Sequence, residues 1–172
     1  MSLLSGMLRV ADRLSPPREA QAHCDIPCGI YDPHQSQVAA HTVIRMMQLI
    51  QNLEQPGSGD KAARDNYIMQ MSRYTVVKEE HAQMVEKEVQ TLWADYFRPE
   101  HLEQHSNLHD LVWKTAKLSG AVRQQINMQA AQDLLANCQQ IAEIFWSTKG
   151  VKTRRQPSNQ PTGGEIVYPV AG

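Results

Sequence analysis

HCDIPCGIYDP, residues 23–33, places one imidazole and two thiols within six residues, on a backbone that suits neither a helix nor a regular strand. Pro27 has no N–H and turns Ile26 away from the α region, while Gly29 and the pair Asp32-Pro33 favour tight turning on either side of Tyr31. The stretch reads as a hook that folds Cys24 and Cys28 toward one point. A hook has no core of its own, so the rest of the chain must supply the body that carries it.

Downstream of Pro33 the pattern is helical. Ala39, Val43, Met46 or Met47, Ile50 and Leu53 recur at steps of three and four and stop before Pro56-Gly57-Ser58-Gly59. Asp60 is a candidate N-cap for a long second helix carrying Tyr67, Met71, Tyr74, Val77, His81, Met84 or Val85, Glu88 or Val89, and Leu92, ended near Phe97 by Pro99. A shorter helix from about Asn107 aligns Leu108, Leu111, Val112, Thr115 and Leu118, with Trp113 off that stripe as a candidate subunit contact. A fourth runs from about Asn127 to Thr148 through Ala131, Leu134 or Leu135, Cys138, Ile141 or Ala142, and Phe145. The expected fold is all-α: an antiparallel four-helix bundle over residues 34–149 with an irregular N-terminal metal-binding hook at 23–33. Residues 150–172, rich in Pro, Gly and polar side chains and without helical period, are expected to be a flexible tail.

The 172 residues suffice for one domain with a sizeable core, and the formal charge of −1 shows no global bias toward nucleic acid or anionic membrane. Any attraction for an anion must be local, and Arg98 beside Tyr96 is a candidate for it. No apolar run approaches the roughly 18 residues needed to span a bilayer. Three cysteines do not make a disulfide framework for a chain this size, and a reducing cytoplasm would keep the hook thiols available for metal. Residues 1–22 lack the uninterrupted apolar stretch of a secretory signal, because Arg9, Asp12 and Arg13 break it.

Two thiolates and an imidazole underfill a four-coordinate metal. Cleavage between Ala22 and His23 would add an α-amine next to the backbone nitrogen of Cys24. Amine, deprotonated amide and two thiolates form a square-planar set, a geometry that favours nickel or copper over zinc. The same anionic donors stabilise a higher oxidation state, so a one-electron Ni(II)/Ni(III) couple becomes accessible. Cys24 and Cys28 taken alone favour a redox disulfide or half of a zinc site over nickel, and the preceding His23 with the flanking Asp25, Pro27, Gly29, Tyr31 and Asp32-Pro33 reverses that preference. Cys138, on an apolar helix stripe, reads as a small buried hydrophobe.

The hook resembles that of the nickel-containing superoxide dismutases, in which HCD, P, CG and YDP recur in this order. WADYFRP from Trp93 and IFWSTK from Ile144 resemble two further family segments, and the likeness covers roughly residues 23–149. It implies that His23, Cys24 and Cys28 bind one nickel ion per subunit, with His23's imidazole axial in the oxidised state. It also implies that superoxide is disproportionated to dioxygen and hydrogen peroxide, that a maturation protease removes a propeptide at 1–22, and that the assembly is a homohexamer. Tyr31 and Tyr96 would bring hydroxyls beside the metal without becoming ligands, and Asp25 would anchor the hook through backbone or tyrosine contacts.

Two positions depart from the family pattern: Ala39 and His81 stand where better-known members carry a glutamate and an arginine supporting the axial imidazole. His101, His105 and His109 fall at i, i+4 and i+8, but Pro99 and Ser106-Asn107 break the row, so a solvated or interface role is expected. Nickel storage by a non-catalytic bundle would need the same ligands but neither tyrosine, and a thiol enzyme would need only the cysteines.

Overall fold

The computed structural model describes residues 29–170. They form helices α1 (His34–Gln51) and α2 (Lys61–Thr91), a π-helical turn (Leu92–Tyr96), helices α3 (Pro99–Gln104), α4 (Leu108–Gln124) and α5 (Met128–Thr148), and strands β1 (Thr153–Pro157) and β2 (Glu165–Pro169). The described part is thus mostly helical with one two-stranded antiparallel sheet. Residues 1–22, His23, Cys24, Asp25 and Cys28 lie outside it.

The helix starts follow local chemistry. Asp60 accepts a hydrogen bond from the Ala63 amide at 2.9 Å, and Asn127 does the same for Ala130 at 3.0 Å, each satisfying an otherwise orphaned N–H of the first turn. Before α1, Asp32 Oδ1 accepts from the His34 amide at 2.8 Å and Ser36 donates to the Pro33 carbonyl at 2.9 Å, so the Asp32-Pro33 turn is joined to the helix it precedes.

α1 packs on α2 and α5, and α4 packs on the same two helices. Between them lie Val43 and Met47 of α1, Val85 and Val89 of α2, Leu108 and Val122 of α4, and Leu134, Ile141 and Phe145 of α5, all nearly inaccessible to solvent. Each such side chain contributes about 1.5–3 kcal/mol by leaving water. The apolar stripes read from the sequence are therefore the ones that face inward, with one partial exception. In α2 the buried positions begin only at Lys78, while Tyr67, Met71, Tyr74 and Val77 are half-covered and Ile68, Met69 and Val76 are exposed. Thirty-one residues make a helix of about 46 Å against about 27 Å for α1, so the first half of α2 outruns its partners. Lys78 itself is buried because its ammonium donates to the carbonyls of Val122 and Arg123 at the end of α4; burial lowers its pKa.

The segment after Gly150, expected to be a flexible tail, is instead a hairpin docked on the helices. Gly150, at φ +69°, turns the chain out of α5 while its amide and that of Val151 bond back to Ser147 and Trp146. The strands pair Thr153 with Pro169 through Pro157 with Glu165, and Ile166 and Val167 are buried. Two adjacent inward residues in β2 and an entirely polar-and-proline β1 give no alternation of period two, which is why the sequence pattern did not announce strands. Among the described residues no helix is long and apolar enough to cross a membrane.

Candidate metal centre and tyrosine cleft

Gly29, the first described residue, has φ +74°, a conformation that the residue after Cys28 reaches cheaply because it has no side chain. It lines a cleft of about 250 Å³ with Tyr31, Asp95, Tyr96, Arg98, Glu100 and His101. The described chain therefore begins at this cleft, and Cys28 is the residue before Gly29 in the sequence.

Tyr96 reaches the cleft because the end of α2 widens. The Phe97 amide bonds to the Leu92 carbonyl at 2.9 Å, an i→i+5 step that defines the π-helical turn, before Pro99 starts α3. Its ring centroid lies 5.6 Å from that of Tyr31, 4.5 Å from Phe145 and 5.7 Å from the stacked ring of His101. Its hydroxyl lies 2.7 Å from Thr148 Oγ1. Thr148 gives its own proton to the Phe145 carbonyl at 2.7 Å, so Tyr96 is the donor of the pair and turns acceptor lone pairs to the cleft. Lys149 stands over the Tyr96 ring at 5.5 Å and the Phe145 ring at 4.6 Å. The two tyrosines predicted for the site are thus brought together. Thr148, Lys149 and His101 were missed as their supports, although Thr148 and Lys149 close the quoted segment IFWSTK. Arg98 is at the cleft as expected, but Asp95 and Glu100 share it and offset its charge.

The histidine row is broken. His101 Nδ1 accepts from the Arg98 amide at 3.2 Å, His105 Nε2 lies 3.0 Å from Ser147 Oγ, and His109 Nδ1 accepts from Trp93 Nε1 at 2.8 Å. Trp113 is 59% exposed and shares a groove with Trp93, Val112 and Ala116. Ala39 is buried in α1, and His81 Nδ1 donates to the Val77 carbonyl at 2.8 Å within its own helix.

One cysteine, Cys138, lies among the described residues. Of the chain's three cysteines, Cys138 is fully buried and burial pushes its thiol up to about 12, so it supplies no thiolate. No group of three or more His, Cys, Asp or Glu able to hold a metal occurs among the described residues. Cys24 and Cys28, the chain's other two thiols, lie outside the described residues, and two thiols with an imidazole are donor types that suit nickel.

Known proteins show the family. The family model described as nickel-containing superoxide dismutase matches residues 18–149. Curated nickel superoxide dismutases of Streptomyces seoulensis and Streptomyces coelicolor are 35% and 36% identical over 135 residues, covering 78% of this chain and 94% of theirs. The native nickel superoxide dismutase structure at 1.30 Å superposes with a TM-score of 0.60 at 35% identity, over 74% of this chain and 99% of that one. A structure with the nickel ligation of the oxidized state gives 0.62 at 34% over the same shares. A family model that matches residues 18–149, and relatives 35% and 36% identical over 94% of their own length, make this chain a member of the nickel-containing superoxide dismutase family.

Proposed function

We infer that the chain is a superoxide dismutase that uses nickel to convert superoxide to dioxygen and hydrogen peroxide. We propose that His23, Cys24 and Cys28 hold that nickel, one ion per subunit, after a maturation protease cuts between Ala22 and His23 and frees the α-amine. Asp25 anchors the hook. The four long helices serve as an antiparallel bundle that carries it, and the processed chain works in the cytoplasm as a homohexamer whose contacts include the exposed Trp113 face. Bound nickel supplies the one-electron couple between its divalent and trivalent states.

The chain's own residues supply position and protons. Tyr96, its proton engaged by Thr148, presents an oxygen that accepts from a water in the cleft, and Tyr31 faces it across 5.6 Å. A water so oriented delivers protons to the peroxide that forms. Arg98 attracts the anion at short range, against the opposing charge of the neighbouring carboxylates Asp95 and Glu100. The observation that carries the reading is the meeting of Tyr31 and Tyr96 in a cleft that begins at Gly29, the residue after the second hook cysteine.

Intact mass with metal analysis tests it: active protein should begin at His23 and hold one nickel. Cys24→Ser should abolish superoxide consumption while helical circular dichroism is unchanged, and a fully active Cys24→Ser protein would end the proposal. Arg98→Glu should slow turnover severalfold at low salt and much less above about 0.5 M salt, where screening acts within a few ångströms.

A further inference from the structure

The hairpin lies outside residues 18–149, the segment that matches the family. It grips α1 by one stripe of its first two turns. Gln37, with no exposed surface, donates through Nε2 to the Val167 carbonyl at 3.2 Å and accepts the Val167 amide at 2.8 Å, pairing with β2 as another strand would. Three residues earlier, the His34 ring lies 5.5 Å from that of Tyr168. Four residues later, His41 bonds to Thr162 Oγ1 at 2.8 Å and to the Glu165 carbonyl at 3.3 Å. The other hold is on α5: Gln139 donates to the Glu165 carbonyl at 2.6 Å, and Arg155 pairs with Glu143 at 2.8 Å and reaches Gln139 Oε1 at 3.1 Å. The hairpin therefore ties the start of α1 to α5, and that start is fused through Asp32 and Ser36 to the turn where the hook ends.

We propose that the C-terminal hairpin is a strap that positions the base of the metal-binding hook, with Gln37 and Tyr168 as positioning residues. The inference rests on the reading of residues 23–33 as that hook. A ligand set carried on a fixed base loses less conformational freedom when it closes on a metal than one carried on a fraying helix end. Removing the strap should cost affinity for nickel without touching a ligand.

The test uses three chains processed to begin at His23: intact, lacking residues 151–172, and Tyr168→Ala. Amide exchange of the metal-free proteins and titration with Ni²⁺ against a competing chelator are both read. Without the hairpin, exchange at residues 34–40 should accelerate at least about tenfold while residues 82–92 are unaffected, and nickel affinity should fall by about tenfold. Tyr168→Ala should move both the same way by a few fold. If the truncated chain loses its helical signal, Tyr168→Ala decides alone. Unchanged exchange, or faster exchange with unchanged nickel affinity, overturns the strap. An intact chain that takes up no nickel overturns the hook reading, and the strap's purpose falls with it.

Discussion

Two attachments meet at the start of α1, and they hold by opposite means. On one side Tyr31 leans on Tyr96, which is set among Phe145, Phe97 and His101, so the contact is made by ring faces and edges. On the other, Gln37 holds Val167 by both backbone groups, and the contact is a pair of hydrogen bonds in a dry place. Rings tolerate small shifts because dispersion is non-directional, whereas a buried amide pair fails as a unit. The start of α1 thus has one compliant anchor, within the segment that matches the family, and one stiff anchor outside it.

The contrast is sharpest for Gln37→Leu. It removes both partners of the Val167 backbone at a buried position, and we expect a loss of about 2 kcal/mol in stability, measured by chemical unfolding. An unchanged midpoint would mean the two anchors do not differ in kind. Tyr96→Phe should cost less, about 1 kcal/mol, because only the bond to Thr148 is lost and every ring contact persists. Nickel content should be unaltered while turnover falls, since the acceptor oxygen in the cleft has gone. A Tyr96→Phe protein with wild-type turnover would remove the tyrosine from the proton path.

The smallest effect is one of pH. Burial lowers the pKa of His41 below its ordinary 6.5, with the Glu165 carbonyl pulling weakly the other way. An undocked His41 takes up a proton near pH 6.5, the docked one only at lower pH. Hairpin docking should therefore be at full strength above about pH 6.5, weaken as pH falls toward the lowered value and then level off. Arg45, on the same cavity, adds repulsion of the same sign. Exchange at Ile166 and Val167, corrected for its intrinsic pH dependence, should show this drift, and His41→Gln should abolish it. A wild-type hairpin indifferent to acid would show that His41 stays hydrated.

The same contrast separates what is legible in the sequence from what is not. The helical stripes, the cap Asp60 and the burial of Cys138 follow from periodicity and cap chemistry, which are local properties of the chain, and the nearness of Tyr31 and Tyr96 from the resemblance of two short motifs. The hairpin is not local: β1 has no apolar residue but its terminal proline to mark it, and its hold depends on a glutamine that looks like any helix-surface residue until β2 arrives 130 positions later. Likewise the exposed first half of α2 carries an apolar stripe in sequence, and only the shorter length of its neighbours shows that half of it is left uncovered.

Cys138 carries one more consequence. This enzyme releases hydrogen peroxide, which attacks sulfur as the thiolate. Enclosed in the core and still protonated well beyond physiological pH, Cys138 offers the product nothing to react with. The helical core therefore holds no cysteine thiolate for the enzyme's own product to oxidise.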